Sequence, residues 1–570
     1  MSQSWEALVA DKKRRQQASI PKEWILTNLP PKETLDVTKF PESSGLLSAK
    51  EIEITNAHVD TILQKLAAGS WSAVGVTTAF SKRAVIAHQL TNCLTEIFID
   101  RALARAAELD AHFKKTGTTM GPLHGNVHWL GLPISLKDQI TLKGIESTMG
   151  YVSWIGKYAE RNAVLVDILE SLGAVPFVKT NVPQTLMASF GWPETYNLVF
   201  GRTLNPHNRS LTCGGSSGGE GALMGMKGAP IGVGSDVGGS IRIPAAFCGS
   251  YGLRPSYGRV PYSGSVNSLE GQDSIPSVLG PLSNSIQGLK TFLQGVVSQE
   301  PWLKDPLVVR KRWSEDEYRL VEHGGGKQLC FAILWDDGDI VPNPPIIRGL
   351  EMTKKALLAA GHKVIDWTPW KHLELCQVAN SVFGSGMRED VHATTVGIGE
   401  PVIKMSLAAA VPDDNPSFFP KHEEVSAYGL WQLHKKKREL RQEYLNHWQA
   451  TVNFTGTGRP VDAIISPVAP FSPTPHGTNK SANYTMVWNV LDYTALVIPV
   501  SKVDQALDQR KPPHKFKSEA DKATYEAYTP DAFKDGPVAI QVVGRTLEEE
   551  AVIAMSEIVD AALKTPSAHL

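Results

Sequence analysis

Two glycine-rich segments that carry serines lie close together in this chain. The first reads Gly214-Gly-Ser216-Ser217-Gly-Gly219 and the second Asp236-Val237-Gly238-Gly239-Ser240-Ile-Arg242-Ile-Pro244. Glycine lets the backbone adopt positive φ and come close to a ligand. Amides that point one way in such a turn bind an anion or a developing oxyanion. The second segment is therefore suited to hold a carbonyl oxygen while Ser240 attacks the adjoining carbon. Two blander readings compete. A Gly-Ser run is often a flexible linker, but the residues around this one are apolar and periodic. Gly232-Val-Gly234-Ser-Asp-Val-Gly238 resembles a dinucleotide loop, but its third glycine is one place late, and no G-x-x-x-x-G-K-[ST] is present.

A serine nucleophile needs a neighbour that removes its proton. No histidine lies in residues 208–300, and no G-x-S-x-G elbow surrounds Ser240. A lysine is the alternative. The run from Trp129 to Asp138 is apolar and strand-like, and it ends in Lys137. A cation at the end of a buried strand is costly unless neutral or paired. Burial lowers a lysine pKa from its usual value near 10.4, so a neutral Lys137 could serve as a base in Ser-Lys fashion. The competing reading is that Lys137 caps the strand and pairs with Asp138 or another carboxylate. Pattern alone leaves both open.

The two glycine–serine segments and the Gly131-Leu-Pro-Ile-Ser-Leu-Lys137-Asp138 run together resemble the amidase signature family. The match covers most of the chain, from about Asn56 to about Leu563. Within the family the chain looks most like the fungal acetamidases or general amidases, through Ser19–Trp24, His88–Ile97 and Leu269–Val278. The resemblance implies a Ser–cis-Ser–Lys triad, with Ser240 as nucleophile, Ser216 as bridge and Lys137 as base. It implies an oxyanion hole from the amides of Val237, Gly238, Gly239 and Ser240. Asp236, Arg242 and Ser217 would support these loops, and Leu186 in the Thr180–Leu186 segment would line the pocket. No metal or cofactor is implied. The activity implied is hydrolysis of small carboxylic amides to acid and ammonia through an acyl-serine. The alternatives are an amidotransferase A-type subunit that delivers ammonia to a partner, an esterase activity, and a non-catalytic scaffold of the same fold. The family runs from Leu-His-Gly almost directly into Leu-Pro. Here residues 126–131 intervene, which predicts a longer turn. His124 and His128 are spaced as on a metal-binding helix, but the glycines around them argue against one.

The elements that must position these residues alternate between helix and strand. Val164, Ile168 and Leu172 recur at helical spacing, Gly173 stops the helix, and Ala174–Lys179 reads as a buried strand. The unit returns with Ile346, Leu350 and Leu357, then Gly361, then Lys363–Trp367. Further strands are predicted at Leu329–Leu334, Asp462–Ser466 and Val538–Val543. A short helix and a short strand separate the two glycine loops. This predicts an α/β fold with helices on both faces of a sheet, and the resemblance makes it one large domain with a mixed, twisted sheet. We expect residues 1–55 to form a helical and Pro-rich arm, on the main body or on a second subunit, and residues 56–565 the catalytic domain. From Val59 to Phe113 the pattern is helical, with Val85, Leu90, Leu94, Ile97 and Phe98 on one face. Residues 191–212, 257–281 and 370–430 read as loops that wall the site. Tyr484–Pro499 reads as core packing.

Composition sets the remaining bounds. Lys plus Arg number 57 and Asp plus Glu 58, so nothing favours nucleic acid or an anionic membrane as partner. The five cysteines, Cys93, Cys213, Cys248, Cys330 and Cys376, are dispersed and lack C-x-x-C pairs, which suits a reducing, cytoplasmic compartment. Cys213 beside the first loop is assigned to packing. The Lys12-Lys-Arg-Arg15 run reads as the solvated face of an amphipathic helix. No run is long enough to span a bilayer, and the final Ala568-His569-Leu570 only loosely resembles a peroxisomal address. The expected partner is a small-molecule amide, with a homodimer as the oligomeric expectation.

Overall fold

The computed structural model describes residues 4–118, 131–186, 194–403, 425–479 and 481–565. Its strands are β1 (Leu94–Ile97), β2 (Leu132–Lys137), β3 (Ala174–Thr180), β4 (Tyr196–Asn197), β5 (Gly201–Arg202), β6 (Ile231–Asp236), β7 (Tyr251–Arg254), β8 (Val278–Ser283), β9 (Cys330–Ile333), β10 (Lys363–Asp366), β11 (Ala463–Pro467), β12 (Ala495–Lys502) and β13 (Pro537–Val543). Eleven of them form one sheet in the order β1-β3-β2-β6-β8-β7-β12-β13-β11-β9-β10. β3, β2 and β6 run parallel, as do β11, β9 and β10. The strands between these two blocks pair antiparallel, and β1 closes one edge antiparallel. The mixed sheet packed with helices agrees with the α/β expectation.

The local units form for the reasons their sequences suggest. Helix Val164–Ser171 buries Leu165, Val166, Ile168 and Leu169. Gly173 at φ +91 ends the turn and feeds β3, whose seven residues are all buried. Parallel strands buried on both faces read as continuous apolar runs, and β2 and β6 fit that description apart from Ser135, Ser235 and their last residues. Those last residues are Lys137 and Asp236. Because β2 and β6 are adjacent and parallel, with Leu136 opposite Val233, both polar ends emerge at the same edge. The carboxyl ends of parallel strands are where open α/β sheets bind ligands.

Several expectations need correction. Leu94 and Ile97 lie on edge strand β1, because Asn92 in the left-handed region ends helix Ala73–Thr91. Residues 257–281 are not all loop, since β8 begins at Val278. The 370–430 region is largely helical where described, with helices His372–Gly384 and Met387–Thr395. β7 and β12 were not anticipated. The charge run on helix Trp5–Ala18 is not simply solvated. Lys12 is only 2% exposed and bonds Glu96 and Glu146, because this face of the helix docks on the body. His124, His128, most of the 126–131 insertion, Gly191-Trp-Pro and Ala568–Leu570 lie outside the described residues. No helix among the described residues is long and apolar enough to cross a membrane.

Candidate active site

Lys137 ends β2 fully buried, and its Nζ lies 2.7 Å from Ser216 Oγ and 2.7 Å from Ser235 Oγ. Asp138 is not its partner. That carboxylate accepts from Thr95 Oγ1 and the Met149 amide, both at 2.7 Å. Desolvation lowers the Lys137 pKa to about 7, against an upward pull from the negative charges of Asp236 and Glu220. Burial pushes the Glu220 carboxyl up to about 7, although hydroxyls of Ser135 and Thr180 donate to it. The lysine is thus poised between its charged and neutral forms near neutral pH.

Ser216 follows a cis peptide from Gly215 and is 4% exposed. Ser217 stands at the N-terminus of helix Gly218–Gly225, and its Oγ bridges the backbone of Ser235 by donating to the carbonyl and accepting from the amide, each at 3.3 Å. The Ser217 amide donates to the Ser240 carbonyl at 3.1 Å. That bond pins the two glycine loops together and leaves the Ser240 side chain on a partly exposed residue.

Asp236, at the end of β6, organises the second loop. Its carboxylate accepts from the amides of Gly239 (2.8 Å) and Ile241 (3.1 Å) and from Arg242 Nε and Nη2 (3.0 Å each). Burial alone would raise this carboxyl. The Arg242 guanidinium, the Asn489 amide and the charge of Arg254 outweigh it and hold the group well below the usual carboxylate range. Arg242 in turn donates to the Thr485 carbonyl, Asn489 Oδ1 and Gln541 Oε1. Thr485 Oγ1 donates to the Gly238 carbonyl at 2.7 Å. Gly239 has φ +133, and a Cβ there would lie 2.2 Å from Thr485 Oγ1, so only glycine fits. Residues 75–553 match the amidase family. An acetamidase from Emericella nidulans is 43% identical over 98% of both chains, and one from Aspergillus oryzae is likewise 43% identical over 98% of both.

This chain belongs to the amidase family.

It is a hydrolase of carbon–nitrogen bonds in linear amides. A solved fatty acid amide hydrolase superposes with a TM-score of 0.88 at 32% identity, over 99% of this chain and 96% of that one.

Within this amidase the sequence-predicted residues fall as follows. Lys137, Ser216 and Ser217 meet at the ends of β2 and β6, and Ser240 joins them through the loop contact. Asp236 and Arg242 bond to each other, and Asp236 also accepts from the amides of Gly239 and Ile241. Of the four amides expected to face an oxyanion, that of Gly239 is engaged by Asp236. This is a correction, and its cause is the carboxylate placed at the mouth of the turn. No hydrogen bond among the described residues occupies the amides of Val237, Gly238 or Ser240. Leu186 is buried in a small cluster with Met149, Tyr151 and Val182, against which Val266 packs. Cys213 is a packed thiol whose pKa burial pushes up to about 12. Sequence reasoning missed Gln139, Glu220, Ser235, Thr485, Asn489 and Gln541. For Ser235 the signal was available, since a polar residue on a buried strand one place before Asp236 needs a partner.

Proposed function

We propose that this amidase hydrolyses small aliphatic amides such as acetamide through an acyl-Ser240 intermediate, with Ser216 as bridge and Lys137 as base. Neutral Lys137 accepts the Ser216 proton as Ser216 accepts that of Ser240. Ser240 Oγ forms a bond to the carbonyl carbon, and the carbonyl electron pair moves to oxygen. The amides of Val237, Gly238 and Ser240 face that oxyanion. Collapse breaks the C–N bond, and the relay returns its proton to the leaving nitrogen as ammonia departs. Water then adds to the acyl group by the same route and frees the acid. Serine hydroxyls both donate and accept, as a bridge requires. The observation that carries the reading is the fully buried Lys137, its pKa lowered to about 7, within 2.7 Å of Ser216 Oγ. The substrate assignment rests on likeness to acetamidases over 98% of their length.

The test combines a substrate series with one substitution. Acetamide, longer aliphatic amides and aromatic amides are offered to the protein purified alone, with released ammonia measured. Turnover of acetamide is the expected result; ammonia release only with an added partner would favour the amidotransferase reading. A fluorophosphonate should label the native protein and leave Ser240→Ala unlabelled. Labelling of Ser240→Ala would refute the nucleophile.

A further inference from the structure

Lys137 has two hydroxyl neighbours at the same distance, 2.7 Å, and in the proposed triad only Ser216 relays to Ser240. A neutral amine has one lone pair, and a hydroxyl can either give it a proton or accept one of its N–H bonds. If Ser235 offered its proton, it would compete with Ser216 for the base. The surroundings of Ser235 decide the matter. Ser235 Oγ donates to Gln139 Oε1, and Gln139 is fully buried, two residues beyond Lys137.

The orientation of the Gln139 amide follows from its other contacts. Its Nε2 donates to the Val266 carbonyl at 2.9 Å and to the Tyr262 hydroxyl at 2.8 Å. A carbonyl only accepts, so the nitrogen must face Val266 and the oxygen must face Ser235. An amide oxygen also only accepts, so the Ser235 proton points to Gln139. The Ser235 oxygen is then left to accept an N–H from Lys137. The platform beneath is firm. The Val266 amide donates to the Gln139 carbonyl at 3.0 Å, and the Tyr262 and Ser263 amides donate to Asp305 Oδ2 at 2.8 Å each.

We propose that Gln139 is a positioning residue that holds the Ser235 proton away from Lys137 and so reserves the lysine lone pair for Ser216. The proposal rests on the triad reading above. Gln139 acts at one remove, through Ser235. Its removal frees the Ser235 hydroxyl to rotate and donate to the lone pair of Lys137, which takes the base out of the relay. The harm therefore comes from a proton that Ser235 carries, and deleting that hydroxyl as well should relieve it.

This gives a test by sign. Gln139→Met, near in volume, should lower kcat on the order of tenfold or more with KM unchanged. Ser235→Ala alone should lower kcat less. Adding Ser235→Ala to Gln139→Met should raise kcat back to the level of Ser235→Ala. A purely structural Gln139 predicts the opposite order, with the double variant slowest. Gln139→Glu keeps an acceptor for Ser235 and should exceed Gln139→Met above the acid limb. A double variant no faster than Gln139→Met, or a Gln139→Met of native kcat, overturns the proposal. Thermal unfolding checks each variant, and Gln139→Leu carries the same pair of measurements if the methionine variant does not fold. Ser216→Ala and Ser240→Ala run beside them separate the two readings. If those two keep native rates, the triad fails; if they lose activity and no reversal is seen, only the role of Gln139 fails.

Discussion

In the proposed mechanism a single amine connects chemistry to pH. Burial lowers the Lys137 pKa to about 7 because the fold removes it from water, and the negative charges of Asp236 and Glu220 do not outweigh that loss. The protonated amine has no lone pair, so kcat/KM should fall as pH drops through about 7. The profile is read on acetamide hydrolysis, and Lys137→Ala should be slow at every pH with that limb absent. Glu220→Gln removes one of the negative charges that favour protonation, so it should move the limb to lower pH. The same shift has a stability sign. Between the folded value and the usual lysine value the unfolded chain holds a proton that the native chain lacks, so this group makes stability rise with pH across that window. Lys137→Met should accordingly be inactive, yet compare best with the native protein in unfolding temperature near pH 6 and worst near pH 10. The opposite trend in thermal scans would mean that the lysine is charged in the fold.

At the level of elements, the helix Asn483–Leu491 holds the 236–244 loop in shape from more than two hundred residues away. Asn489 accepts from Arg242 at 2.6 Å and donates to Asp236 at 2.8 Å, and Thr485 ties down the Gly238 carbonyl. Asn489→Leu leaves a buried cation and a buried carboxylate each one bond short, a loss of about 1–3 kcal/mol. The variant should unfold at lower temperature and lose kcat more than substrate affinity, because in the proposed mechanism the loop amides face the oxyanion only when Asp236 is fixed. An unchanged kcat would detach this helix from the chemistry. The sequence was legible where the cause is local. Gly173 and Gly361 mark helix ends, and a lysine closing an apolar strand marks the proposed base. The glycine loops were legible through their motif. Thr485 and Asn489 were not, because Tyr484–Pro499 reads simply as apolar, and no spacing says which polar residue of a buried helix meets Arg242. Leu94 and Ile97 were misread for a similar reason, since a four-residue edge strand after a long helix keeps the apolar spacing of the helix. The engagement of the Gly239 amide by Asp236 depends on loop geometry that residue types alone do not carry.

Across the whole molecule, the first helix docks on β1, the edge strand of the main sheet. Lys12 inserts between Glu96 on β1 and Glu146, with the second contact at 2.6 Å. Arg15 reaches Glu146 at 2.9 Å. Gln16 donates to the carbonyls of Leu94 and Thr95, which adds a polar tie to the backbone of β1. Glu146 stands beside Lys179 of β3, whose Nζ bonds the Glu146 carbonyl and Ser147 Oγ. The arm that follows continues over the body, with Val37 donating to the Pro206 carbonyl and Arg209 reaching back to Thr34. Removing one member of a buried ion pair strands its partners and costs about 3–5 kcal/mol. Lys12→Met should therefore lower the unfolding temperature clearly, while kcat stays near native at low temperature, because the contacts of Lys12 are to Glu96 and Glu146 and not to Lys137 or Ser216. Burial pushes the Glu96 carboxyl up to about 7 even with the Lys12 charge beside it. Without Lys12 that carboxyl should protonate at still higher pH, so the deficit of Lys12→Met should grow as pH rises above 7. Adding Glu96→Gln removes the stranded charge and should recover part of the lost stability and flatten the pH dependence. If Lys12→Met unfolds like the native protein across that range, the arm is held by its apolar and backbone contacts alone.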